Sequence, residues 1–331
     1  MHTSHTFTQK RVIIHDAHIR SNATRLESLL ATHGCALACA TKALPLNHEF
    51  VTLFPQSASF YDVRLENLTF LNSLGRRTIS HLQIDDAQHQ CMLTDFEDIA
   101  TLPNTRAGHY VFFDLGDARE GFSPSEAQAV ISALATRSIH SVTIASNIGC
   151  LSENAPSDAY LKMLLSLYRA FTERGISVTS LSVGGSNCVP LIPSFASPVS
   201  TEVRVGEAIL FGTYANTKSD LLHLNTGNIF LEAHRLKILS ADEVLYDFGY
   251  THCEPHELLP MRYEIIRQSA NHTTLRSRIG ARMPERIYLP VNYRGLTKLG
   301  QQRTIEFSFT SRNYGTATTA APTTVSSRKV Y

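Results

Sequence analysis

Cys35-Ala-Leu-Ala-Cys-Ala-Thr-Lys42 is a short apolar run that ends on a lysine, and its reading sets the reading of the whole chain. A run of this length reads as a strand buried in a parallel sheet. Its terminal lysine then stands where a barrel enzyme presents a Schiff-base amine, because functional residues of a barrel gather at the C-terminal ends of its strands. Beside other cations a lysine loses part of its preference for the protonated form, which makes it a nucleophile.

The same alternation of apolar runs and amphipathic stretches continues outward from this segment. Strands are expected at Ala36 to Ala40, Ser57 to Tyr61, Thr78 to Gln83, Gln90 to Leu93, His109 to Asp114, Ser141 to Ala145, Ser177 to Ser182 and Thr201 to Arg204. A helix is expected over Ser123 to Thr136, opened by Ser-Pro-Ser-Glu, where a serine cap and an early glutamate serve the free amides. Another runs from Ser157 to Arg174, with Tyr160, Leu161, Leu164, Leu165, Tyr168 and Phe171 at helical spacing. Eight such repeats give an α/β fold, a (β/α)8 barrel of the TIM type over residues 15–215.

The barrel rule places the polar residues that follow the strands on one rim. They are Lys42, Arg64, Asp114 with Gly116 and Arg119, Asn147, the turn Gly184-Gly185-Ser186-Asn187, and Arg204 with Gly206. One amine, three guanidinium groups and two glycine-rich turns suit an anionic cofactor or substrate. Asp114 reads as the residue that fixes the Gly116 turn.

After about residue 215 the chain turns to β-branched and aromatic runs, such as Asn228 to Leu239, Arg286 to Pro290 and Thr304 to Phe309. These form a smaller C-terminal β-rich domain over 216–314, which residues 1–14 join through the strand Arg11-Val-Ile-Ile14. The Thr/Ala/Ser-rich residues 315–331 are expected to be disordered. With 43% hydrophobic residues among 331, the chain can bury a large core. A net charge of +1 offers no field for nucleic acid or a membrane surface. Six cysteines without a CxxC pair suggest reduced thiols, and the absence of a long apolar stretch suggests a cytoplasmic protein with a small-molecule partner.

Five segments, in order, carry a resemblance to a known family. They are Ala40-Thr-Lys42, Asp62-Val-Arg-Leu-Glu-Asn67, Phe113-Asp-Leu-Gly-Asp-Ala-Arg-Glu-Gly-Phe122, Asn147-Ile-Gly-Cys150 and Val203-Arg-Val-Gly-Glu-Ala-Ile-Leu-Phe-Gly212. Together they resemble the alanine/ornithine racemase-like group of fold-type III pyridoxal-phosphate (PLP) enzymes. The resemblance implies PLP as cofactor, with Lys42 as its Schiff-base lysine and one acid/base group at the substrate Cα. It places Arg119 near the substrate carboxylate, Asn147 beside the ring, Arg204 at the pyridine nitrogen, and Arg64 in the family's Ser-Arg-x-x-Asn segment. Phosphate contacts fall to the amides of Gly206 and Glu207 and to the turn Gly185, Ser186 and Asn187. An arginine at the ring nitrogen holds its proton, which favours reprotonation at Cα and hence racemisation.

The chain departs from the family in two places. The turn reads Gly-Gly-Ser186-Asn187 where relatives tend to have Gly-Gly-Asn-Ser. The tyrosine that the partner subunit supplies in alanine racemases has no matching motif, and Tyr250, Tyr263 and Tyr293 are equivalent candidates. A homodimer is implied. Alternatives within the fold are an aldolase, a dehydratase or a decarboxylase, or a PLP-binding protein without turnover. The metal-dependent alternatives have one local candidate, His252-Cys253-Glu254-Pro-His256, to which no metal is assigned. Cys253 is the candidate acid for a decarboxylase.

Overall fold

The computed structural model describes residues 9–82, 84, 89–102, 108–149, 151–152, 155–213, 223–259 and 261–313. The expected tail at 315–331, the junction at 215/216, Gln83 and Cys150 lie outside them. Strand β1 (Arg11–Ile14) comes first. Eight strands then close a parallel barrel: β2 (Cys35–Ala40), β3 (Ser59–Tyr61), β4 (Thr78–Ser80), β5 (His89–Leu93), β6 (His109–Phe112), β7 (Ser141–Asn147), β8 (Ser177–Gly184) and β9 (Ser200–Val205), with β9 pairing back onto β2.

The expected strands all occur, with shorter ends where local bonds intervene. Ala58 donates its N–H to the Pro55 carbonyl, so β3 starts two residues later, at Ser59. Ser80 Oγ accepts the Leu82 amide and turns the chain out of β4. The 123–136 segment divides into a 3-10 turn (Pro124–Glu126), capped reciprocally by Ser123 and Glu126, and a helix over Ala127–Thr136. The second expected helix runs over Asp158–Glu173. Between β4 and β5 the described residues form no helix, unlike a regular repeat. The helix Asp16–Thr32 precedes β2 and packs on it and on the helix Glu207–Phe211, burying Ile19, Ala23, Leu26 and Leu30.

Inside the barrel the side chains are unusually polar. Glu202 is 3% exposed and accepts from Ser59 Oγ (2.6 Å), Ser182 Oγ (2.7 Å), Tyr61 Oη (3.1 Å), Tyr110 Oη (3.3 Å) and Arg77 Nη2 (2.6 Å). Burial raises the pKa values of both tyrosines, and the Glu202 charge adds to it. Above Glu202 lies Arg204, whose guanidinium carbon stands 5.0 Å from the Tyr61 ring centre and 4.9 Å from that of Phe112.

The second domain is one sheet in the order β12 (Tyr263–Gln268), β13 (Thr273–Ser277), β11 (Glu243–Tyr246), β10 (Ile229–Ile238), β1 and β15 (Glu306–Phe309), with β14 (Arg286–Pro290) also on β10. β1 runs antiparallel to β10 and parallel to β15, placing Val12 opposite both Leu231 and Phe307. The chain thus threads the second sheet before it enters the barrel. One apolar core continues from the outer barrel helices through Val12 to Leu231 and Leu289.

Removing the lumen carboxylate leaves Arg204 and Arg77 without their buried counter-charge. Glu202→Ala is expected to lower unfolding stability by about 3–5 kcal/mol. Urea titration followed by circular dichroism measures it, and a loss below about 1 kcal/mol would show that the network is not stabilising.

Candidate active site

A cavity of about 710 Å³ opens at the C-terminal end of the barrel, against the second domain. Every barrel strand delivers a residue at or just beyond its end: Ala40 and Lys42, Tyr61 and Asp62, His81, Met92, Phe112, Asn147, Gly185, and Arg204 with Gly206. His256, Asn292, Tyr293 and Arg294 form the facing wall.

Lys42 is presented by a braced segment. Thr41, one residue earlier, is buried; it donates its N–H to the Tyr61 carbonyl and its hydroxyl to Asp62 Oδ2 at 2.7 Å. Asn67 holds the far side, donating to the Leu44 carbonyl and Asp62 Oδ2 (both 2.9 Å) and accepting the Leu46 amide. Asp62 Oδ1 takes the amides of Val63 and Arg64. The Asp62 and Asn67 of the sequence motif therefore buttress the lysine loop. Arg64 itself, expected on the rim, does not line the cavity: it reaches across to the second domain and donates to the Gly300 carbonyl at 3.0 Å.

Arg204 forms the floor. It donates to the Ser182 carbonyl (3.0 Å) and hydroxyl (2.5 Å), to the Ser146 carbonyl (2.5 Å) and to Asn147 Oδ1 (2.8 Å). Burial alone would lower its pKa; Tyr61, Tyr160 and Glu202 outweigh that and hold it above its usual value. It stays protonated. Gly184 makes the contact with Asn147 possible, since a Cβ there would lie 2.2 Å from both Arg204 Nη2 and Asn147 Oδ1.

Asn147 donates its amide to Glu120 Oε1 at 3.0 Å. Glu120 also receives Arg119 through Nε (2.9 Å) and Nη2 (2.7 Å), in a two-point pair. A continuous chain of bonds thus crosses the floor, from Arg119 through Glu120 and Asn147 to Arg204. The loop that carries Arg119 and Glu120 is closed by a bridge between Phe113 and Phe122, and Asp114 Oδ1 gathers the amides of Gly116, Asp117 and Ala118. Asp114 is therefore a turn-former, as its position suggests. Glu120 escaped the sequence reading although it lies in the quoted motif, because only the fold brings it to Asn147.

The glycine turn and the helix start after β9 meet here. Gly185 has φ +102° and spends its N–H on the Arg204 carbonyl, so it shapes the turn and does not offer a donor. The following Ser186 and Asn187 open a 3-10 helix, and Gly206 caps the helix Glu207–Phe211; first-turn amides of this kind point outward, unsatisfied by their own helix. Ser186 Oγ ties the two together by accepting the Ala208 amide at 3.0 Å. Asn187 is 9% exposed and neither atom of its side-chain amide has a partner among the described residues. Outward amides beside an orphaned buried amide fit an anionic group. Glu207 lines the cavity and accepts from Thr213.

The three candidate tyrosines separate. Tyr293 lines the cavity and packs edge-on to Phe211, with ring centres 6.2 Å apart. Tyr250 is 50% exposed and Tyr263 lies on β12; neither lines the cavity. The 252–256 cluster disperses too. Burial pushes the Cys253 thiol up to about 12 and the side chain packs toward Gly295, so it is no proton donor to the cavity. Among the described residues no three His, Cys, Asp or Glu side chains converge as metal ligands.

The closed barrel, the strand-end lysine and the anion-fitting turns define a barrel protein built to hold an anionic group beside an amine. The family model described as alanine racemase, N-terminal domain, matches residues 14–214, and the chain belongs to that family. Ornithine racemase of Acetoanaerobium sticklandii is 24% identical over 227 residues, 62% of this chain and 64% of that protein, so the match spans less than two thirds of the relative. Alanine racemase from Bartonella henselae, solved with covalently bound pyridoxal phosphate, has a TM-score of 0.69 at 14% identity, covering 91% of this chain and 99% of that one. D-threo-3-hydroxyaspartate dehydratase from Delftia sp. HT23 has 0.66 at 12%, covering 89% and 92%. At these identities the likeness to solved structures is one of fold.

If the bond chain sets the floor, cutting it at its centre disorders both arginine sides. Glu120→Ala is expected to weaken binding of pyridoxal phosphate by about ten- to a hundredfold, the loss of one or two charge-assisted hydrogen bonds. Because the Glu120 side chain is only 24% exposed and pairs with Arg119, Tm of the cofactor-free protein should fall by about 2–4 °C, the equivalent of about 1 kcal/mol and less than the loss in cofactor binding. A loss of unfolding free energy as large as the loss in cofactor-binding free energy would make its role merely structural.

Proposed function

We propose that this protein is a PLP-dependent amino-acid racemase that interconverts L- and D-amino acids by removing and returning the Cα proton. The observation that carries the reading is the arrangement of Lys42, the Arg204-Asn147-Glu120-Arg119 chain and two amide-lined turns around one cavity. PLP, when bound through its aldehyde to an amino group, draws electron density from the bonds at Cα. Lys42 is the residue that links to it. The outward amides of Ser186, Asn187, Gly206 and Glu207 would hold its phosphate, and Arg204 would serve its ring nitrogen. Because Arg204 keeps its own proton, it would leave that nitrogen unprotonated, which would favour return of the proton to Cα.

Lys42 Nζ takes and returns the Cα proton on one face. Inversion requires a second proton carrier on the other face, and Tyr293, the tyrosine of the three candidates that lines the cavity, is assigned that task. The wall from the second domain supports a substrate-handling enzyme over a protein that only stores the cofactor. The described residues offer little to the metal-dependent aldolase and dehydratase reactions of this fold.

Wild-type protein with PLP should absorb in the visible, and borohydride should fix a pyridoxyl group to Lys42. In D2O, NMR should show Cα deuterium incorporation with inversion for at least one amino acid. Lys42→Ala should abolish the fixed group and lower exchange by about a hundredfold or more, while Tyr293→Phe should exchange with retention. A wild type that gains no visible absorbance, or exchanges no amino acid, rules out the assignment.

The protein also works as a homodimer in this proposal. Val63 and Leu151, 54% and 69% exposed, sit on the cavity lining and leave apolar surface at its mouth, which a second copy would cover. Sedimentation velocity should give a dimer that Leu151→Glu weakens; a wild-type monomer at micromolar concentration would refute it.

A further inference from the structure

Arg119 is the residue that the sequence motif associates with the substrate carboxylate, yet its side chain is already engaged. Its Nε and Nη2 both face Glu120, and its Nη1 lies 3.7 Å from Asp117 Oδ2. The other floor guanidinium, Arg204, is buried under Ser146, Asn147 and Ser182. Arg294 differs from both. It lines the same cavity, is exposed, and has no hydrogen-bond or ion-pair partner among the described residues.

The backbone that carries Arg294 is held firmly. Asn292 caps the helix Tyr293–Leu299 by accepting the Gly295 amide at 3.0 Å and donates its own amide to the His256 carbonyl at 2.8 Å. Gly295 is pressed against the 253–257 segment, where a Cβ would come within 2.7 Å of the Glu257 carbonyl oxygen. A fixed stem with a free guanidinium is suited to a carboxylate, which it can grip at two points.

The carboxylates of the cavity show the opposite pattern. Asp62 is saturated by Thr41, Val63, Arg64 and Asn67; Glu120 by Arg119 and Asn147; and Glu207 is engaged by Thr213. No lining carboxylate among the described residues stands ready for a cationic side chain, whereas a cation stands ready for an anion.

We propose that Arg294 anchors a substrate carboxylate from the second-domain wall, and that the cavity, whose described lining carboxylates are all engaged, prefers amino acids with neutral or acidic side chains over ornithine and lysine. This rests on the racemase reading above. The carboxylate is either the one on Cα, common to every amino acid, or a second one on the side chain.

The test uses cofactor-loaded wild type, Arg294→Met and Arg294→Lys, with alanine, aspartate and ornithine as probes. Affinity is read by calorimetry and Cα exchange by NMR. Arg294→Met is expected to weaken binding and raise KM by about ten- to a hundredfold while kcat changes less than about threefold, with partial recovery in Arg294→Lys. Equal loss for alanine and aspartate assigns the grip to the Cα carboxylate; loss confined to aspartate assigns it to the side chain. Unchanged affinities in Arg294→Met, or wild type binding ornithine more tightly than both other probes, would overturn the proposal while leaving the racemase reading intact. Wild type that takes up no PLP would overturn that reading and this proposal with it.

Discussion

A carboxylate and a guanidinium share the interior of this barrel, with Ser182 Oγ hydrogen-bonded to both Glu202 and Arg204. Either charge alone in that space would bear a desolvation cost of several kcal/mol. Together, and surrounded by Tyr61, Tyr110 and Ser59, they are saturated. Because Glu202 and Arg204 lie two residues apart on β9, the strand's alternation points both inward, one above the other. The lower charge thereby fixes the upper one at the cavity floor, and the upper one orients Asn147. Small residues at Ala38 and Ala40 on the neighbouring strand leave room for these large polar groups.

Much of this was legible in the sequence, for a physical reason. A barrel places strand ends on one rim, so Lys42, Asn147 and Arg204 could be assigned to it by counting apolar runs. Side-chain direction was not legible in the same way. Arg64 follows β3 as Lys42 follows β2, yet it turns outward to the Gly300 carbonyl, a partner more than two hundred residues away in sequence. Gly185 sits in the glycine turn, but its N–H goes to the Arg204 carbonyl, a pairing set by the β8–β9 register. Local rules also served Asp114 and the Ser123/Glu126 cap, whose partners lie within four residues. Where a partner is distant, as for Glu120 with Asn147 or Tyr293 with Phe211, composition and spacing carry no signal.

The second domain does more than cover the barrel. β1 is laid into its sheet between β10 and β15 before the chain starts the barrel, so the chain crosses between the two parts twice, once after β1 and once before β10. The shared apolar core adds to the coupling. This rigidity bears on chemistry, because the wall containing His256, Asn292, Tyr293 and Arg294 faces groups carried by the barrel. A proton carrier or carboxylate grip on a loosely hinged domain would lose its position by more than hydrogen-bond geometry tolerates.

Position and charge then divide the labour between the two parts. On the barrel side almost every charge is answered from within the protein: Arg204 by carbonyls and Asn147, Arg119 by Glu120, Asp62 by amides and Thr41. Groups so bound are poor at following the shape of an incoming molecule but good at keeping a fixed field, which suits a cofactor that never leaves. On the facing wall Arg294 is exposed and without a partner among the described residues, free to meet an incoming anion. The cavity thus sets hydrogen-bonded, charge-paired groups on its barrel side against an unpaired guanidinium on its facing wall.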